Sequence, residues 1–71
     1  MSQEIQAEMV ANVWKVLVSE GDSVQEGDTI CILESMKMEI PVEATAAGVV
    51  TAVRVGAGGT VQEGDVIAVI G

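Results

Sequence analysis

The sequence predicts an all-β fold, a small barrel or sandwich, and three observations carry that expectation. The hydrophobic residues make up 49% of the chain yet include one Trp and no Phe or Tyr. Val and Ile dominate instead, and their branched side chains suit the pleated surface of strands. Short apolar runs alternate with Gly-containing turns, the pattern of several short strands. Third, the chain repeats itself. Residues 10–33 laid over 47–70 at an offset of 37 match at ten of twenty-four positions without a gap. Two copies are too few for a solenoid, which stacks about three or more units. Two equivalent halves suit a closed β structure with a pseudo-two-fold axis.

Each half reads the same way. A Val-rich run, Val13 to Val18 or Val49 to Val55, predicts a strand that leads into a first turn at Gly21 or Gly58. Val24-Gln25-Glu26-Gly27-Asp28 and Val61-Gln62-Glu63-Gly64-Asp65 follow as a second turn. There the Gly tolerates positive φ and the Asp bonds neighbouring amides. The hydroxyls of Ser23 and Thr60, at equivalent places, are expected to bond their turns locally. An alternating strand closes each half, Thr29 to Glu34 and Val66 to Ile70. Neither half carries an insertion and no Gly/Ser or Pro/Ala linker is visible, so one domain spanning 1–71 is expected, with Met1 as the start of a protein.

The segment between the repeats breaks the pattern. From Thr29 to Ala47 there is no Gly, Asn or Asp, although strands run to roughly five or six residues. The chain must therefore reverse near Met36 to Met38, where Met36-Lys37 contains none of the residues that tight hairpins use. Such local rule-breaking is expected at functional sites. A short helix is the competing reading, because Leu33, Met36 and Ile40 fall at i, i+3 and i+7 and Pro41 would end it. The repeat weighs against it, since Thr29 to Glu34 matches the strand Val66 to Ile70. Of the two lysines, Lys15 has Ala52 as its counterpart and Lys37 has none. An isolated surface lysine ordinarily serves solubility, but Lys37 is flanked by Met36 and Met38, side chains that suit adaptable contact surfaces as well as cores.

Charge and composition exclude several functions. Eleven acidic residues against three basic ones give a net charge of −8, which repels phosphate backbones and anionic lipid headgroups; neither nucleic acid nor membrane is an expected partner. The start Met1-Ser2-Gln3-Glu4 lacks the cationic and apolar regions of a signal peptide, so a cytoplasmic location is expected. Cys31 has no second Cys or any His to join, which leaves no internal disulfide and no metal site. It is expected to be a small buried or interface residue; Trp14, matched by Thr51, has first a structural reading, and a partner-docking role is the alternative if it is partly exposed. No carboxylate pair or nucleophile–base set is evident, so no catalytic residue is expected.

Glu34-Ser35-Met36-Lys37-Met38-Glu39 resembles the attachment motif of the biotinyl domains of biotin-dependent carboxylases, whose core is Met-Lys-Met. The resemblance spans nearly the whole chain and takes in Val13-Trp14-Lys15-Val16, both Val-Gln-Glu-Gly-Asp turns and Ile40-Pro41-Val42-Glu43-Ala44. It implies a flattened β-barrel of two four-stranded antiparallel sheets with Lys37 at a hairpin tip. It also implies that biotin is attached covalently to Lys37, with Met36 and Met38 flanking it and Glu34, Ser35 and Glu39 around it. The implied partners are biotin protein ligase, biotin carboxylase and carboxyltransferase, with the isolated chain monomeric and acting as a carrier without catalysis of its own. Thr45 stands where many members have Pro and Ala11 where many have Gly, departures that concern loop geometry only.

The chemistry of such a site constrains where activation comes from. An ordinary lysine amine, with pKa ~10.4, is neutral in about 4 of 10,000 molecules at pH 7 and is a poor nucleophile. The sequence offers no group to deprotonate or desolvate Lys37, so the activation must come from a ligase. Once the amide forms, a short tether holds the ring at a local concentration of order millimolar wherever it reaches. Three other readings stand beside this one. A lipoyl carrier, or one accepting both groups, also uses a hairpin lysine, but lipoyl domains usually carry Asp-Lys-Ala. A phosphopantetheine carrier is suggested by Asp22-Ser23-Val24, yet that chemistry wants its serine at a helix start. An unmodified β interaction module would use the barrel as a docking scaffold.

Overall fold

Short alternations of Val and Ile with polar residues become eight strands, with no helix among the described residues, in a computed structural model that describes residues 2–71. Met1, part of the expected domain, lies outside them. The strands are β1 (Gln3–Gln6), β2 (Ala11–Val16), β3 (Ser23–Val24), β4 (Thr29–Ser35), β5 (Met38–Glu43), β6 (Gly48–Val53), β7 (Thr60–Val61) and β8 (Val66–Ile70). They form two four-stranded sheets, ordered β1-β8-β6-β3 and β5-β4-β2-β7, in which every pairing is antiparallel. The all-β class and the two-sheet architecture are as the sequence predicts, and the helical reading of 33–40 is not.

The offset of 37 maps one sheet onto the other, strand for strand. β2, β3 and β4 correspond to β6, β7 and β8, and β5 corresponds to β1, a strand the sequence reading did not anticipate. The equivalence reaches individual hydrogen bonds. Gly27 N donates to Ala44 O at 2.9 Å and Ala44 N to Asp28 O at 2.8 Å, while Gly64 N donates to Ala7 O at 2.9 Å and Ala7 N to Asp65 O at 2.8 Å. It also reaches the irregularities. β2 bulges between Val13 and Lys15 against β4, and β6 bulges between Val50 and Ala52 against β8. A bulge adds local twist, and a matched pair bends both sheets alike around one core.

That core is wholly apolar. Val13, Ile30, Cys31, Leu33, Val50, Val61 and Ile67 are its largest fully buried side chains, and among the described residues no polar side chain is buried with them. Burying each Val, Leu or Ile contributes about 1.5–3 kcal/mol, so these positions supply much of the stability of a small domain. Val18 and Val55 pack against the same core from beyond the strand ends. Their apolar character made the strands read as Val13 to Val18 and Val49 to Val55, whereas β2 and β6 begin and end about two residues earlier.

The turns carry a second correction. In the Gly21 turn the Asp22 carboxylate, and not the Ser23 hydroxyl, makes the local bond: Oδ2 accepts from Ser19 N at 2.8 Å. The equivalent of Asp22 is Gly59, whose N donates to Gly56 O at 3.0 Å, as Asp22 N does to Ser19 O at 3.0 Å. Ser23 and Thr60 lie exposed in the two-residue strands β3 and β7. Thr45, one of the departures from the family pattern, bonds Gln3 Oε1 through its hydroxyl at 2.9 Å and so ties the loop after β5 to β1.

Candidate functional site: the Lys37 hairpin

β4 and β5 pair from Thr29↔Glu43 to Ser35↔Met38, leaving Met36 and Lys37 as a two-residue loop. Right-handed strand twist favours positive φ at both loop positions, hence the usual Asn-Gly or Asp-Gly. Here Met36 has φ 53° and Lys37 φ 67°, the two non-glycine residues with positive φ among those described. Holding an L-residue there costs about 1–2 kcal/mol. The cost is borne by the packing of the hairpin stem, where Leu33 is buried and Ile40 and Val42 lie against the core. Pro41 is accommodated because β5 is an edge strand.

All six residues of the motif fall on this hairpin. Lys37 is exposed at the tip, with Met36 at 92% and Met38 at 65% exposure on either side. Both methionines are therefore surface groups and do not fill the core. Ser35 is half-buried at the end of β4, and Glu34 and Glu39 face each other across the stem. Like charges directly opposite one another are unfavourable in a sheet, so this pair makes the approach to Lys37 negative at some cost in stability. Two open grooves, of about 570 and 440 Å³, are lined by residues such as Glu4, Glu8, Glu63, Arg54 and Val69; the first reaches Glu43 at the base of the hairpin, and neither includes a residue of 34–39. A primary amine projecting from an exposed turn, beyond both of these grooves, suits a group that must leave the surface. It does not suit one held in place.

The remaining candidates lie elsewhere. Cys31 is fully buried and its burial pushes the thiol pKa up, which makes it a core residue and a poor nucleophile. Trp14 sits in the β2 bulge, 42% exposed, with Lys15 Nζ 4.5 Å from its ring centroid. Among the described residues no group of three or more His, Cys, Asp or Glu could hold a metal ion.

A two-sheet barrel that offers one lysine on a strained hairpin tip defines a protein of the covalent-attachment class. The chain belongs to the biotin/lipoyl attachment family, whose model, described as that of a biotin-requiring enzyme, matches residues 2–70. It is 55% identical over 53 residues to the biotinylated protein TB7.3 homolog of Mycobacterium leprae (strain TN), covering 75% of each chain. It is 47% identical over 49 residues to the biotin/lipoyl attachment protein of Bacillus subtilis (strain 168), covering 69% of this chain and 67% of that one. Among solved structures, the urea carboxylase of Kluyveromyces lactis superposes with a TM-score of 0.93 at 35% identity; the match covers all of this chain and 6% of that one.

Proposed function

We propose that the protein is a non-catalytic biotin carboxyl carrier whose biotin is joined through an amide to Lys37 Nζ. The observation that carries this reading is the left-handed Met36-Lys37 turn, which places the lysine at the outermost point of the hairpin between two exposed methionines. The family and the relatives named as biotinylated support the choice of group. In acylation by a biotin protein ligase, Lys37 Nζ would lose a proton and attack the activated biotinyl carbonyl; the bond from that carbon to its activating group breaks, the group departs with the ligase, and the net charge passes from −8 to one unit lower. When bound, the biotin ring supplies a nitrogen that carries a carboxyl group. The chain supplies reach: the stem fixes the base of the tether, and the tip, with both methionines exposed beside it, leaves it free. The carboxylase likeness supports partners of the biotin carboxylase and carboxyltransferase kinds, with both catalytic sites on them.

Lipoate is the second reading, favoured by the Bacillus relative whose name includes both groups. Incubation with a biotin ligase and biotin, and separately with a lipoate ligase and lipoate, followed by intact mass, tests the two. One biotinyl increment in the first arm and none in the second is the expected result. A lipoyl increment alone would replace biotin with lipoate. An unchanged mass in both arms would leave the barrel as an unmodified interaction module.

A further inference from the structure

The internal two-fold makes the two sheets comparable position by position, and their outer faces differ. On the lysine-bearing sheet, Lys15 pairs with Ile32 and Ile32 with Pro41, and Trp14 stands beside this row in the bulge. The equivalent row of the other sheet is Ala52, Val69 and Glu4, with Thr51 in its bulge. The backbone is shared, and what sets one face apart is a Trp and a Lys stacked on each other, Nζ 4.5 Å from the ring centroid. Trp14 and Pro41 are exposed, Ile32 is half-buried, and the Glu34–Glu39 pair lies between this row and Lys37.

Resting on the biotin reading above, we propose that this face, centred on Trp14 and Lys15, is the docking surface for the ligase that modifies Lys37. The partner it fits has an apolar recess for Trp14, a carboxylate for Lys15 and basic residues facing Glu34 and Glu39. Charge argues against a second copy of the chain, because two faces each rimmed by that glutamate pair repel. Enzymes that use the tethered ring can recognise the ring itself. The ligase meets the bare protein and has only its surface to read, and an exposed Trp on the same sheet as the target is the residue type that anchors such contacts.

The two-fold also supplies the test. Trp14→Thr with Lys15→Ala gives this face the residues that β6 already carries at Thr51 and Ala52, so the fold is retained, as thermal unfolding will show. Initial rates of biotinylation by a biotin protein ligase are then followed by intact mass against carrier concentration. The double variant is expected to lose about tenfold or more in kcat/KM, chiefly through KM. Lys15→Glu, which leaves Trp14 in place, lowers it in the same direction, and Thr51→Ala on the other sheet leaves it unchanged. A double variant modified at the wild-type rate overturns the docking proposal alone, whereas a wild type that takes no biotin overturns the biotin reading with it. Two further outcomes would reassign the face and overturn the proposal: a wild-type dimer that the double variant cannot form, or a shift in Trp14 emission on biotinylation with the ligase removed.

Discussion

Two kinds of turn in this molecule hold the chain at positive φ, and they do so with opposite residues. Gly27 and Gly64 reach φ 93° and 90° with the amino acid that loses nothing there, and Asp28 and Asp65 close the turns by accepting from Gln25 N and Gln62 N at 2.9 Å. Met36 and Lys37 reach φ 53° and 67° with side chains that such backbone disfavours. The first kind serves the fold. The second has residues where a purely structural hairpin favours Asn-Gly, and the proposed attachment at Lys37 rests on that difference. Strain of this sort collects where a surrounding structure over-determines it and where function needs it.

The largest expected effect separates the two outright. Lys37→Arg keeps a cation at the tip and should leave thermal unfolding unchanged while abolishing modification, read as intact mass after incubation with ligase and biotin. Gly27→Val should do the reverse. An added Cβ meets nothing within 4 Å, so the penalty is one of backbone conformation, about 2–3 kcal/mol. For a domain of this size that lowers Tm by roughly 10–20 °C, with Lys37 still modified in the folded fraction; Gly64→Val should match it through the two-fold. Asp28→Ala removes one turn bond and should cost about 1 kcal/mol in a denaturant titration. Smallest is Met36→Gly, expected to raise stability by up to about 1 kcal/mol by relieving the left-handed strain, and to slow modification by freeing the tip.

The repeat made most of the fold legible. The runs Val13 to Val18, Thr29 to Glu34, Val49 to Val55 and Val66 to Ile70 located four of the strands, and the matched glycines and Gly-Asp pairs located the turns between them. β1 escaped because its likeness to β5 is confined to Ala7/Ala44 and the apolar pair Ile5/Val42, too little to stand out beside polar Gln3, Glu4 and Gln6. Lys37 lacks a counterpart for a related reason. The pseudo-two-fold carries its turn to the open end where β8 pairs with β1, at Gln3↔Ile70. The hairpin was legible from a broken rule, the absence of turn residues where a turn was required. The stacking of Lys15 on Trp14 was not, because it depends on a bulge that brings neighbouring residues together and that nothing in the local pattern announces.

The chain's scarcity of basic residues allows a direct test of which lysine is modified. Trypsin cuts after Lys15, Lys37 and Arg54, giving 1–15, 16–37, 38–54 and 55–71 from the unmodified chain. An amide at Lys37 blocks the middle cut, so protein treated with biotin protein ligase and biotin should yield 16–54 carrying a single biotinyl increment. A 1–37 peptide bearing the increment would place the group on Lys15 and contradict the assignment.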